Sequence, residues 1–188
     1  MFSYLLDEHS ELRLLLPHYA EALFALTDAN RKHLRRWLPW VDDNRTLEDT
    51  KAFIQGALDG LARGEQLPLT VWHRGKLAGT LTLFNIVLPH RTAEIGYWLG
   101  AAFEGKGLMT RGVEALINYA FFEMGLGRLE IRTHTKNLRS RAIPERLGFM
   151  LEGILRQEVW LHDKPQDMAL YALLKQDWPK QKPRRKRG

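Results

Sequence analysis

AEIGYWLGAAFEGKGLMTRGVEALINYAFFEM, residues 93–124, is the stretch on which the reading of this chain turns. Ala93 to Leu99 reads as a strand, and Gly100 to Gly107 as a glycine-rich turn. A helix follows, because Met109, Val113, Leu116, Ala120 and Met124 recur at intervals of three and four. Gly105 and Gly107 let the main chain approach a ligand closely and adopt conformations that a side chain forbids. The helix begins at once, so its free N–H groups and about half a positive charge of dipole point into the turn. With Lys106 and Arg111 alongside, this is a place for phosphate. Two phosphate motifs fail here. A triphosphatase loop needs Ser or Thr at position 107, and a dinucleotide fingerprint needs glycine at position 110, which is Thr110.

Working outward, Glu11–Leu16 reads as a first strand, and Pro17 opens a helix whose apolar stripe is Ala20, Leu23 and Phe24. A second helical piece runs from Asn30 toward Leu38, ending in the Trp37-Leu-Pro39-Trp40 cluster. Thr46-Leu-Glu-Asp49 has capping-box spacing, with Asp in place of Glu or Gln, and predicts a helix burying Leu47, Ile54, Leu58 and Leu61. Leu67–His73 and Leu77–Leu88 read as strands joined at Arg74-Gly75-Lys76. Past the central stretch come a strand over Arg128–His134, a helix over Asn137–Arg146 stopped by Gly148, and strands over Ile154–Leu161 and Met168–Leu174. The result is one mixed α/β domain over 1–179 with a sheet of about seven strands, and a separate basic end over 180–188.

The net charge of +6 resides in that end. Lys180, Lys182, Arg184, Arg185, Lys186 and Arg187 supply all of it, so the pI does not argue that the folded body binds nucleic acid. The end reads as a solvated tail, with an electrostatic contact to RNA or a ribosome as the sharper alternative. There is no cysteine, which removes disulfides and thiolate chemistry. No apolar run reaches the roughly 18–20 residues of a membrane span, and no signal peptide is evident, so a cytoplasmic protein without membrane contact is expected. The seven histidines include no His-x-x-x-His pair, so no metal is expected. No Gly-x-Ser-x-Gly is present to support a serine hydrolase.

The chain resembles the GNAT superfamily of N-acetyltransferases, and within it the RimJ/RimL type that acetylates ribosomal-protein serine or alanine N-termini. The resemblance spans about Leu12 to Trp178. It is carried by RKHLRRWLPW (31–40), AEIGYWL (93–99), FEGKGLMT (103–110), NLRSRAIPERLGF (137–149) and YALLKQDW (171–178). It implies a mostly antiparallel sheet flanked by helices, with central strands 93–99 and 128–134 splayed apart, and acetyl-CoA as donor. The family's Gln/Arg-x-x-Gly-x-Gly/Ala motif is met at Gly105 and Gly107, but its leading position is Ala102.

By the same resemblance, the coenzyme site comprises Trp98, Leu99, Glu104, Gly105, Lys106, Gly107, Leu108, Met109, Thr110, Asn137, Ser140 and Arg141. The diphosphate sits on main-chain N–H groups of 104–110. The main chain near Trp98 and Leu99 faces the oxyanion, and Ser140 protonates the departing thiolate. On residues alone, Asn137 and Ser140 equally make a helix cap. The reaction implied is direct attack by a neutral amine, without an acyl-enzyme. Glu94, Glu158 and His134 are the candidates for the base, each equally readable as an exposed strand residue, with proton relay through water as the alternative. Trp37, Trp40, Asn85 and Tyr97 are the expected acceptor contacts, although large aromatics equally serve as core. The expected partner is a protein or peptide N-terminus, and a homodimer is allowed. A small-amine acetyltransferase and a non-catalytic RNA- or ribosome-binding module are the rival readings.

Overall fold

The computed structural model describes residues 3–179. The basic segment 180–188, and with it the expected domain boundary, lies outside the described residues.

Eight strands form one sheet: β1 Ser3–Asp7, β2 Ser10–Leu14, β3 Leu67–His73, β4 Lys76–Val87, β5 Thr92–Leu99, β6 Arg128–His134, β7 Met150–Leu161 and β8 Lys164–Leu174. Their order is β1-β2-β3-β4-β5-β6-β8-β7, and every pairing is antiparallel except that of β5 with β6. Among the described residues the α-helices are α1 Ala20–Ala29, α2 Arg31–Leu34, α3 Leu47–Ala62, α4 Leu108–Asn118 and α5 Leu138–Arg146.

Neighbouring residues on the strands enter different cores. Val71 and Leu99 pack with α4, whereas Trp72 and Trp98 pack with α1 and α3. Strand side chains alternate between faces, so the two helix layers cover opposite sides of the sheet. Leu81, Leu83, Ile95, Val113, Leu116, Ile117, Phe121 and Leu129 form the centre of the larger core. Each such side chain contributes about 1.5–3 kcal/mol on burial. Leu15, Tyr19, Leu23, Ile54 and Trp72 form the smaller core.

The capping box at α3 is present with Asp in the third place. Thr46 Oγ1 accepts from Asp49 N–H (3.1 Å), and Asp49 Oδ2 accepts from Thr46 N–H (2.8 Å). The buried face of α3 is Thr50, Ile54, Ala57 and Gly60. Leu47 and Leu58 flank it, so the stripe is rotated from the sequence expectation toward smaller residues that let α3 approach the sheet. The helix expected from Asn30 to Leu38 stops at Leu34, and a 3-10 turn over Pro39–Asp42 follows the Pro39 ring. α4 ends in a π-turn over Tyr119–Glu123, where Met124 N–H reaches Tyr119 O (3.1 Å).

One strand has no clear mark in the sequence. β1 buries Leu6 alone and is held by pairing with β2. Its apolar pattern is therefore too thin to show at the edge of a sheet.

Candidate active site

β5 and β6 pair in parallel at Thr92–Arg128, Ala93–Leu129 and Glu94–Glu130, and nowhere beyond. β5 continues to Leu99 and β6 to His134, so a wedge opens between them from residues 95 and 131 onward. Gly100 N–H donates to Ala78 O of β4 (2.9 Å). Because N–H groups alternate sides along a strand, that of Trp98 also turns to β4, while those of Tyr97 and Leu99 turn into the wedge. Of the two main-chain groups expected there, only Leu99 faces the opening.

The wedge ends at the glycine turn. Gly105 (φ +74°) and Gly107 (φ +69°) are both left-handed, and Gly107 caps α4. A Cβ on Gly107 would lie 2.7 Å from Arg111 Nη1. The first main-chain bond at this helix end runs from Arg111 N–H to Gly107 O (3.1 Å), and no side chain caps the helix. The N–H groups of Leu108, Met109 and Thr110 therefore have no helical partner and face outward with the positive end of the dipole. Lys106 Nζ reaches back to Ala102 O, putting a cation beside the position where the family motif carries Gln or Arg.

The turn is fastened on two sides. Asn30 Oδ1 accepts from Ala101 N–H (2.9 Å), and His33 Nε2 lies 2.8 Å from Glu104 Oε1. The other Glu104 oxygen pairs with Arg139 of α5. Sequence reasoning missed Asn30, His33 and Arg139. His33 and Glu104 are 71 residues apart, and no spacing rule links them.

Asn137 caps α5, its Oδ1 accepting from Ser140 N–H (3.2 Å). Tyr97 O–H donates to Ser140 O at 3.0 Å, and Ser140 Oγ is 3.5 Å from the Tyr97 oxygen. Burial pushes the Tyr97 phenol well above its ordinary pKa, so it remains a proton donor throughout neutral pH. Tyr97 thus lies on the α5 side of β5, across the sheet from Trp37 and Trp40, so the expected acceptor contacts do not share one face. Arg141 turns away from the glycine turn. Its guanidinium donates to Thr135 O (3.0 Å) and Tyr171 Oη (2.8 Å).

On the other face, Trp40 packs on Trp98 with ring centres 5.9 Å apart, and Trp37 packs on His134 at 5.7 Å. Burial depresses the pKa of His134, against a hydrogen bond that the ring donates to the Trp37 main-chain carbonyl, so its imidazole is neutral at pH 7. Glu94 Oε1 accepts from Asn85 Nδ2 (2.9 Å). Arg132, which sequence reasoning also missed, lies between Glu94 (3.6 Å), Glu130 (3.2 Å) and Glu158 (3.3 Å). Both carboxylate candidates for the base therefore share one guanidinium. Beyond Glu158, the β7–β8 hairpin tip meets the segment after α2, where His162 Nε2 is 2.9 Å from Arg35 O. A depression of about 340 Å³ lies between them, lined by Arg35, Pro39, Asp42, Trp160, Leu161, His162 and Asp163. Among the described residues, no cluster of three His, Cys, Asp or Glu is arranged to hold a metal, and no helix is long and apolar enough to cross a membrane.

Residues 10–150 match the family described as Acetyltransferase (GNAT) domain. The Bacillus subtilis (strain 168) protein YdaF is 35% identical over 189 residues, covering 97% of this chain and 100% of that one. The ribosomal-protein-serine acetyltransferase of Escherichia coli (strain K12) is 31% identical over 166 residues, 88% of this chain and 93% of that one. The solved structure of RimL, a ribosomal L7/L12 alpha-N-protein acetyltransferase in complex with coenzyme A, superposes with a TM-score of 0.89 at 27% identity, covering 92% of this chain and 98% of that one.

Proposed function

The chain belongs to the GNAT acetyltransferase family and is an N-acetyltransferase that uses acetyl-CoA, and on that premise we propose that its acceptor is the α-amine of a protein N-terminus, serine or alanine of a ribosomal protein. The observation that carries this reading is the near full-length likeness to RimL, joined to a depression that begins at Trp160, two residues past Glu158 on β7. A polypeptide whose first residue lies near Glu94 and Glu158 has the depression under Trp160 for the residues that follow.

The glycine turn fits the coenzyme. Its unpartnered N–H groups suit a diphosphate, and a side chain at 107 would enter Arg111. Lys106 adds the cation. When bound, acetyl-CoA supplies a thioester carbonyl to be attacked. Leu99 N–H then stabilises the negative charge growing on the carbonyl oxygen, a contribution of roughly 100- to 1000-fold for one such donor. The acceptor nitrogen forms its bond to the acyl carbon as the carbon–sulfur bond breaks. The amine proton leaves through Glu158 or Glu94 to water. Ser140 Oγ gives its proton to sulfur and is reprotonated from water, for about 100- to 10,000-fold. Arg132 keeps both glutamates oriented, and Trp37 and Trp40 wall the cleft.

The test is thiol release from acetyl-CoA with a serine-starting decapeptide, the same peptide blocked at its N-terminus, and spermidine. Turnover of the free peptide alone is expected. Turnover of spermidine with none of the peptide would replace this reading with a small-amine acetyltransferase.

A further inference from the structure

α5 carries a proline in its interior, Pro144, and buries it. Proline has no N–H, so the carbonyl four residues earlier loses its helical donor and is crowded aside by the ring. Four residues before Pro144 is Ser140. Its carbonyl is the one that Tyr97 O–H occupies, at 3.0 Å. The same phenol oxygen lies 3.5 Å from Ser140 Oγ, so one side chain from β5 addresses both oxygens of the serine. With an ordinary residue at 144, the helix would claim Ser140 O for itself. The half-buried phenol would then compete with a main-chain N–H for the same acceptor.

We propose that Pro144 and Tyr97 are positioning residues for Ser140: the proline releases the Ser140 carbonyl from the helix, the phenol takes it, and the serine is tied to β5 with Oγ beside the wedge. This rests on the reading of Ser140 as the proton donor to the thiolate. Neither Pro144 nor Tyr97 needs to touch the reacting atoms. Asn137 holds the same serine from its N–H, so three tethers from two elements converge on one residue.

The decisive variant is Pro144→Ala, assayed in the full chain with acetyl-CoA and whichever of the serine-starting peptide or spermidine the wild type turns over. Alanine restores the helical N–H and suits a helix better than proline does. The expected result has two opposite signs. Thermal stability holds or rises, while kcat falls about tenfold with the KM for acetyl-CoA within about twofold, a fraction of the roughly hundredfold that a misplacement of 1 Å can cost. Tyr97→Phe, which keeps the ring and removes the hydroxyl, gives a similar loss in kcat. The double variant is no worse than Tyr97→Phe alone, since both act through one bond.

Undiminished kcat in Pro144→Ala, or losses that multiply in the double variant, overturns the proposal. If Pro144→Ala does not fold, Tyr97→Phe decides alone: kcat equal to wild type overturns it. Ser140→Ala separates this inference from the reading beneath it. Unchanged kcat there removes Ser140 as donor, whereas a loss confined to Ser140→Ala leaves that role and removes the two positioning residues.

Discussion

Replacing Gly107 with alanine tests the proposed coenzyme site at the glycine turn, with a magnitude that follows from its backbone. Gly107 sits at φ +69°, where an L side chain costs roughly 1–2 kcal/mol. The new Cβ would also meet Arg111 Nη1 at 2.7 Å. That atom ends a flexible side chain, but it donates to Lys106 O (3.1 Å), and its neighbour Nη2 pairs with Asp7 (2.8 Å), so moving it disturbs both. The strain has two outlets. If the turn keeps its shape, the fold carries the strain and Tm falls by about 2–8 °C for a domain of this size. If the turn relaxes in the free protein, binding must restore it, and the Kd for acetyl-CoA rises about 5- to 30-fold. Calorimetric titration and a thermal melt on the same sample measure both. The two losses together should amount to at least about 1 kcal/mol. Gly105→Ala is the control, because φ is +74° but nothing lies within 4 Å of its Cβ, so only the backbone component remains. A Gly107→Ala protein with unchanged Tm and unchanged Kd would refute the argument that this turn is left-handed by necessity.

Glu104→Gln removes a carboxylate from the glycine turn and frees His33 and Arg139. Its acetyl-CoA affinity should rise about threefold at low salt and less at high salt, as expected for partly exposed charges. Titration at two ionic strengths checks this. Glu152 has its pKa lowered by the paired Arg128, with contacts of 2.8 and 2.5 Å, and its stabilising effect is present above the ordinary carboxylate pKa and lost as pH falls through the lowered value. Glu152→Gln should therefore cost up to about 1 kcal/mol at pH 7, the surface value, and progressively less as the pH falls below the ordinary carboxylate range; melts at a series of pH values read the difference. Arg132→Met leaves Glu94, Glu130 and Glu158 without their common cation. It should raise the acceptor KM severalfold while leaving the Kd for acetyl-CoA unchanged, a split that steady-state kinetics and titration resolve.

The turn and its flanking elements were legible in the residues because their causes are local. A left-handed glycine pair, the start of a helix and an apolar repeat at three and four all act within a few residues. β3 and β6 match the expected boundaries residue for residue: β6 alternates along its length, and β3 is stopped by the Arg74-Gly75 turn. β1 and the first residues of β7 were not legible. They lie at the two edges of the sheet, where Met150 and Leu151 are exposed and pairing rather than burial makes the strand.

Chain order alone determined a left-handed glycine bend between a strand and a helix, a capped helix carrying Ser140, and the acetyltransferase likeness that joins them. What it could not supply was the choice of partner for each polar group. The phenol of Tyr97 finds Ser140 across 43 residues, Glu104 finds His33 across 71, and Arg132 gathers carboxylates from three strands. Such contacts arise only after the sheet has set its register and the helices have docked. Their geometry depends on distances between elements, and those distances are set by how the two cores pack on either side of the sheet.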